Sequence, residues 1–111
     1  MDLKKGTINL TNIYVEYENK NIKIRLLKKS ATSNVYKDID NTIVIKKIIN
    51  YKDYHVFERE IHILKLLNKH QINVPELIFY DINNQIIIMS YCGEAISEKI
   101  FNSNNNYKKQ L

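Results

Sequence analysis

Lys46 and Glu60 are the two residues of the chain whose types and surroundings could support binding chemistry. Lys46 follows three β-branched residues, and Glu60 lies in the amphipathic stretch at positions 57–64. A carboxylate on the apolar side of a helix is costly to desolvate unless a cation lies beside it. Lys46 is the cation that the sequence offers, so we expect the two residues to form an ion pair. Lysines at strand ends and glutamates on helices are common, and most pairs of this kind lie on the surface and contribute about 0–1 kcal/mol.

The strands that would position Lys46 are predicted from the alternation of apolar and polar side chains. Four segments show strand patterns, and they cover 13–18, 22–26, 34–39 and 42–49. A period of two is typical of half-buried strands, and short polar connections favour an antiparallel meander. On the fourth segment, Val44 and Lys46 share one face because successive side chains alternate.

The helix that would position Glu60 is the clearest periodic pattern in the chain. Apolar residues recur at three- and four-residue steps from about 53 to 69, which is typical of an amphipathic helix. Pro75 favours an extended conformation in the residue before it and ends this element. Beyond it, 76–81 and 85–91 predict two strands joined by a polar turn. The centre of the last strand does not alternate, so we expect it to be a buried inner strand.

Together these elements predict the α+β class, with a five- to six-stranded antiparallel sheet packed against one long helix. A length of 111 residues suits one domain. Residues 1–20 are expected to form an N-terminal extension with an extra strand, although 1–10 are expected to be loosely ordered. Residues 21–101 would form the main unit, and 102–111 a polar C-terminal tail.

The composition disfavours several other classes of function. The net charge is +5, but the lysines are scattered along the sequence, so we expect a solvated surface and no nucleic-acid site. Cys92 is the only cysteine, and the histidines lack metal-ligand spacing, so no metal site is predicted. No apolar run approaches the roughly 20 residues of a membrane span. We therefore expect a soluble cytoplasmic protein without a membrane partner.

The order of these motifs resembles the small, N-terminal lobe of the protein kinase-like superfamily, over residues 21–101. Ile43-Val44-Ile45-Lys46 is similar to the Val-Ala-Ile-Lys strand of that family, and Arg59-Glu60-Ile61-His62-Ile63-Leu64 is similar to its helix. The stretch Val74-Pro75-Glu76-Leu77-Ile78 also resembles small atypical kinases of the RIO type and of the tRNA-modification complex. The resemblance implies a relationship to ATP-dependent Ser/Thr protein kinases.

The resemblance also implies a nucleotide site. Lys46 would contact the α- and β-phosphates of ATP and Glu60 would hold it. Val35 and Val44 would form the roof over the adenine, and Met89 would be the gatekeeper residue. The Ser90 carbonyl and the Cys92 amide would be the hinge groups that face the adenine edge. Lys47 ends the same strand, and both faces of that strand are apolar. The choice of Lys46 therefore rests partly on the resemblance.

The chain departs from the family in two ways. Lys28, Ser30 and Ser33 occupy the positions of the glycine-rich loop, whose glycines let backbone amides approach phosphate. Neither a His-Arg-Asp catalytic loop nor an Asp-Phe-Gly metal site follows the hinge-like segment. We therefore expect a truncated small lobe that binds ATP weakly, does not hold magnesium without the missing lobe, and is inactive alone.

An alternative is a kinase-fold interaction module. A small lobe by itself exposes the apolar surface that would meet a large lobe, around the hinge and the helix. Exposed apolar patches of this kind mark interfaces. In this interpretation the chain binds a protein partner, such as a separate chain that carries the large lobe.

Overall fold

Seven strands form one curled antiparallel sheet in the computed structural model, which describes residues 3–70 and 74–91. In chain order the strands are β1 (Asn9–Leu10), β2 (Tyr14–Tyr17), β3 (Lys20–Lys29), β4 (Ser33–Asp38), β5 (Ile43–Ile48), β6 (Leu77–Asp81) and β7 (Ile86–Ser90). The helix α1 (Tyr54–Lys69) follows a 3₁₀ turn at Tyr51–Asp53 and connects β5 to β6. The spatial order is β1-β2-β3-β4-β5-β7-β6. The α+β class is therefore confirmed.

The predicted number of five to six strands is wrong, because residues 3–10 are ordered by contacts with the far end of the described chain. The Tyr80 amide donates to the Lys4 carbonyl at 2.8 Å, and the Gly6 amide donates to the Tyr80 carbonyl at 3.1 Å. The Ile8 amide donates to the Asp81 carboxylate at 2.9 Å across 73 positions of sequence. These contacts lead the chain into β1, a strand of two residues. A strand that short shows no period in a sequence.

Gly6 allows residues 3–8 to approach β6 closely. A Cβ atom at this position would lie 2.6 Å from the Cζ atom of Phe79, which is closer than carbon atoms can pack. Phe79 is 5% exposed and belongs to the core. The glycine is therefore required by the ring that packs against it, and a side chain there would force the segment away from the sheet.

Both faces of the central strands are buried, as predicted for the last strand. β7 lies between β5 and β6, and its residues Ile86, Ile87, Ile88 and Met89 are at most 2% exposed. On one face, the curled strands β1 to β3 enclose a cluster that includes Ile45 and Ile88. On the other, α1 covers a cluster that includes Val44 and Ile87. We call this second side of the sheet the helix face.

The helix α1 begins one residue later than predicted and ends where predicted. Phe57, Ile61 and Leu64 are buried against the helix face, and they recur at the steps expected of an amphipathic helix. Asn68 joins the helix to β6, because its side chain donates to the Pro75 carbonyl at 3.1 Å and accepts from the Leu77 amide at 2.8 Å. Among the described residues, no helix has the length and apolar character needed to cross a membrane.

Candidate functional site

Strand register places the predicted site residues of the sheet side by side on the helix face. Val35 on β4 pairs with Lys46 on β5, and Val44 on β5 pairs with Met89 on β7. Paired residues of an antiparallel sheet point to the same side, and residues two apart in a strand do so as well. Val35, Val44, Lys46 and Met89 therefore form one contiguous surface. Lys47 is directed to the opposite face, so Lys46 is the lysine of β5 that lies beside these residues.

Lys46 and Glu60 form a buried ion pair on this surface. The Lys46 Nζ atom lies 2.5 Å from the Glu60 Oε1 atom, and the two side chains are 6% and 10% exposed. Glu60 reaches the lysine because it lies one turn from Phe57 and Leu64, which pack the helix on the sheet. Burial of two opposite charges at this distance holds both side chains in one geometry.

The valines of the predicted adenine roof are closed off from solvent. Val35 is 4% exposed, Val44 is 1% exposed and Met89 is 2% exposed. Tyr91 packs against the same apolar cluster and forms part of its cover. A planar base can reach the valines only if this cover moves. In this structure the three residues therefore belong to the buried core.

Of the two predicted hinge residues, the structure describes Ser90. The Ser90 amide donates to the Glu76 carbonyl at 2.9 Å, and the Ser90 hydroxyl accepts from the Glu76 amide at 2.8 Å. These bonds tie the end of β7 to the residue that precedes β6. Cys92 lies outside the described residues. The predicted hinge contacts of the Ser90 carbonyl and the Cys92 amide stay predictions.

Lys37 is a second cation of the helix face, and the sequence analysis did not single it out. It pairs with Val44 in the sheet and is only 7% exposed. Its Nζ atom donates to the Asn41 Oδ1 atom at 2.6 Å and lies 5.3 Å from the centroid of the Tyr91 ring. Within the described residues it has no carboxylate partner at ion-pair distance. A nearly buried ammonium is thus balanced by an amide and an aromatic ring.

Arg25 and Lys28 extend the positive charge of the helix face onto β3. Arg25 pairs with Lys37, and Lys28 pairs with Val35, so both point to this face. A register shift between Leu26 and Lys28 inserts one extra residue, which brings Lys28 to the same side as Arg25. Both side chains are exposed and make no side-chain hydrogen bond or ion pair with the described residues. We call Arg25, Lys28, Lys37 and Lys46 the cation cluster.

The turn between β3 and β4 lies where the resemblance would put a glycine-rich loop, and three of its backbone amides already have partners. The Ser30 hydroxyl accepts from the Thr32 and Ser33 amides at 3.4 Å and 3.1 Å. The Ser30 amide donates to the Ser33 carbonyl at 2.8 Å. A loop of this kind binds phosphate through free amides that converge on the anion. Three amides of this turn are satisfied within the turn itself.

A concave feature lies along the side of α1 that is next to β6. It is a groove of about 230 Å³ between the helix and β6, and it is lined by Tyr54, Phe57, Glu58, Ile61, His62, Lys65, Tyr80 and Ile82. Lys65 contacts Tyr80 there, with 2.9 Å between its Nζ atom and the phenol oxygen. The groove therefore mixes aromatic, apolar and charged groups.

The described residues contain no group of three or more His, Cys, Asp or Glu side chains arranged to hold a metal ion. The chemistry within reach of the helix face is thus that of lysine, arginine and one carboxylate, which suits the recognition of an anion. Comparisons with protein-family models, with curated proteins and with solved structures find no match for this chain. The function is argued from these residues.

Proposed function

We propose that the chain is a kinase-like small lobe that contacts the phosphates of ATP and has no phosphotransfer activity alone. The observation that carries this proposal is the ion pair between Lys46 and Glu60, 2.5 Å apart and nearly buried. A lysine on an inner strand held by a helix glutamate is the arrangement by which protein kinases fix the α- and β-phosphates. The shared face of Val35, Val44 and Lys46 supports the same interpretation.

Each residue has a defined part in the proposed site. Lys46 donates to phosphate oxygens, and Glu60 fixes the direction of the ammonium group. Val35 and Val44 supply the apolar surface for the base, and Met89 on β7 lies beside Val44 on the same face. We expect weak binding because Tyr91 packs against the cluster that contains these valines. Moving it aside costs free energy before the base can contact them.

Phosphotransfer needs groups that this sequence does not contain. In protein kinases an aspartate of the catalytic loop orients the acceptor hydroxyl, and an aspartate and an asparagine hold magnesium. The sequence has neither the His-Arg-Asp motif nor the Asp-Phe-Gly motif. The activity proposed for these 111 residues is therefore nucleotide binding.

Calorimetric titration of the purified chain with ATP tests this proposal. We expect saturable binding in the millimolar to high micromolar range, abolished in Lys46→Met and unchanged in the matched control Lys47→Met. The double variant Lys46→Met/Glu60→Leu removes both charges together and keeps the fold for comparison. Absence of binding at millimolar ATP would refute the proposal. Magnesium-dependent phosphotransfer by the chain alone, lost in Lys46→Ala, would refute the absence of catalysis.

An interaction module is the second candidate function, and the groove beside α1 is the observation that favours it. Tyr54 is 38% exposed at the mouth of this groove, where a partner could bury it. A large lobe made as a separate chain is the kind of partner that the kinase resemblance suggests. We expect affinity capture of a partner by the wild-type chain and its loss in Tyr54→Glu. Capture that is equal for both proteins would contradict a role for the groove.

A further inference from the structure

We infer that the cation cluster selects its ligand by the phosphate chain and not by the base. In this arrangement Arg25 and Lys28 take the place of the loop amides and contact the outer phosphates, while Lys46 contacts the inner ones. The ligand class is a compact polyphosphate, either nucleoside-linked or inorganic. The inference rests on the proposed function and adds the residues and the ligand class.

The geometry of the sheet gathers the four cations around one small apolar residue. Arg25, Lys37 and Val44 form one row across β3, β4 and β5, and Lys28, Val35 and Lys46 form the next row. Strands lie about 4.8 Å apart and the rows about 7 Å apart, so the Cα atoms of the cluster span about 12 Å. Val35 is thus flanked by cations on both neighbouring strands. Such a spacing fits an anion of a few linked phosphates.

The charge balance of the cluster favours a multiply charged anion. Among the described residues, these four cations face one carboxylate, Glu60, which leaves three formal positive charges on this part of the helix face. Arg25 and Lys28 carry exposed charges without a partner among the described residues. Lys37 is nearly buried beside Asn41 and Tyr91, so a bound anion would also offset part of its desolvation. A chain of two or three phosphates carries a negative charge of similar size.

The two ends of the site differ in accessibility, and this difference sets the predicted selectivity. The valines that would meet a base are at most 4% exposed and Lys46 is 5% exposed, whereas Arg25 and Lys28 are open to solvent, so a ligand meets the two open cations first. The amides of Thr32 and Ser33 are already bonded to Ser30, so side chains are the available donors to phosphate. The free energy of binding should therefore come from charge-assisted hydrogen bonds to phosphates, with little from the base.

An extended nucleic acid fits the same surface less well. Along β3 the positive charge continues to Lys23, but the next residue of that face is Asn21, which pairs with Glu16. The Glu16 carboxylate accepts from the side chain of Asn21 at 3.5 Å. A carboxylate therefore borders the cationic surface on this side, and a long polyanion would be repelled there. The ligand that best fits the compact cluster is therefore a polyphosphate.

The test is a titration series without added magnesium, using adenosine, AMP, ADP, ATP, GTP and inorganic tripolyphosphate. We expect affinity to rise with each phosphate, ATP and GTP to agree within about threefold, and tripolyphosphate to lie within about tenfold of ATP. The double variant Arg25→Gln/Lys28→Gln should weaken ATP and tripolyphosphate about tenfold or more, the loss expected for charge-assisted hydrogen bonds. Lys29→Gln is the matched control, since Lys29 pairs with Asn34 and points to the other face.

The outcomes separate this inference from the proposed function. If ATP binds and requires Lys46 but the double variant behaves like Lys29→Gln, the inference is wrong and the proposed function stands. AMP binding as tightly as ATP, with adenosine much weaker, leads to the same conclusion. Adenosine binding as tightly as ATP would make both wrong, because neither then gains from a phosphate contact. If no nucleotide and no tripolyphosphate binds, both are wrong. Tighter binding of a single-stranded oligonucleotide than of tripolyphosphate, with dependence on Lys23, would overturn the inference in favour of nucleic acid.

Discussion

The helix face has a part that α1 covers and a part that is open to solvent. Cationic side chains have different partners in the two parts. α1 lies over β5, β6 and β7, and the one lysine directed into this part, Lys46, meets the carboxylate of Glu60. β3 lies beyond the helix, and its cations Arg25 and Lys28 are exposed without such partners among the described residues. Lys37 lies on β4 between the two parts and is bonded to a neutral amide.

The difference follows from the cost of burying a charge. An ammonium removed from water needs an opposite charge or a full set of hydrogen bonds, whereas an exposed one keeps its hydration. Charges of the covered part therefore contribute to the fold as well as to any ligand contact. Charged side chains of the open part contribute little to the free energy of unfolding and remain available to a ligand. The substitutions below test this division, beginning with the largest expected effect.

Lys46→Ala should have the largest effect on stability. It leaves the Glu60 carboxylate buried without its cation, so we expect a loss of about 3–5 kcal/mol in the free energy of unfolding. Urea denaturation followed by circular dichroism measures this loss. The control is Lys46→Met/Glu60→Leu, which removes both charges and should lie within about 1 kcal/mol of the wild type. A loss below about 1 kcal/mol for Lys46→Ala alone would mean that water reaches the pair.

Asn68→Ala should have the second largest effect, because it releases the end of α1 from the covered part. The side chain bonds the Pro75 carbonyl and the Leu77 amide, and its removal leaves two partly buried backbone groups without these partners. We expect a loss of about 1–3 kcal/mol in the same denaturation experiment. Leu66→Ala, at an exposed helix position, is the comparison. Equal stability of the two variants would show that water replaces Asn68 without cost.

Asp38 should produce a smaller, pH-dependent effect at the turn between β4 and β5. Burial by itself raises the pKa of this carboxyl, but hydrogen bonds from the Thr42 hydroxyl and from the Ile43 and Thr42 amides outweigh burial and lower the pKa. A lowered pKa in the folded state stabilises the protein above the ordinary aspartate pKa of about 3.9. This contribution is lost as the pH falls from there through the folded-state pKa.

Unfolding curves recorded at a series of acidic pH values measure this contribution. We expect Asp38→Asn to be less stable than the wild type at neutral pH and to approach it as the pH falls. A constant difference between the two proteins over the whole series would contradict the assignment. Asp40→Asn, in the exposed part of the same turn, is the matched control.

Lys28→Gln should have the smallest effect on stability. Its side chain lies on the open part of the face and makes no bond with the described residues, so we expect a change within about 0.5 kcal/mol. The same substitution should lower the affinity for tripolyphosphate. A large loss of stability would show that Lys28 is a structural residue, and the division between the two parts of the face would then fail.

Elements with a long, regular pattern could be predicted from the sequence. The helix was recognisable because Phe57, Ile61 and Leu64 repeat over about two turns. The inner strand β7 was recognisable because its isoleucines do not alternate. The meeting of Glu60 with a lysine of β5 was expected from these two elements and from the cost of an isolated buried carboxylate, and the choice of Lys46 over Lys47 rested partly on the resemblance. In each case local periodicity and burial led to the same answer.

Features that depend on register or on distant partners could not be predicted. The bulge near Leu27 changes which face Lys28 joins, and strict alternation would have placed it opposite Arg25. The position of Lys37 beside Tyr91 requires the sheet order to be known first. Residues 3–10 have few local signals, because their bonds go to Tyr80 and Asp81. The cation cluster therefore appears only in three dimensions.

The contact of residues 4–8 with β6 has a consequence for the order of folding. The bond between the Ile8 amide and Asp81 closes a loop of 73 positions, whereas the hairpins from β2 to β5 close within a few residues. Closure of a long loop carries a larger entropic cost, so local hairpins form first. During synthesis on the ribosome, the first residues must wait until Asp81 has left the exit tunnel. Until then Phe79 and its neighbours lack their outer cover, and the nascent chain is at its most vulnerable to aggregation.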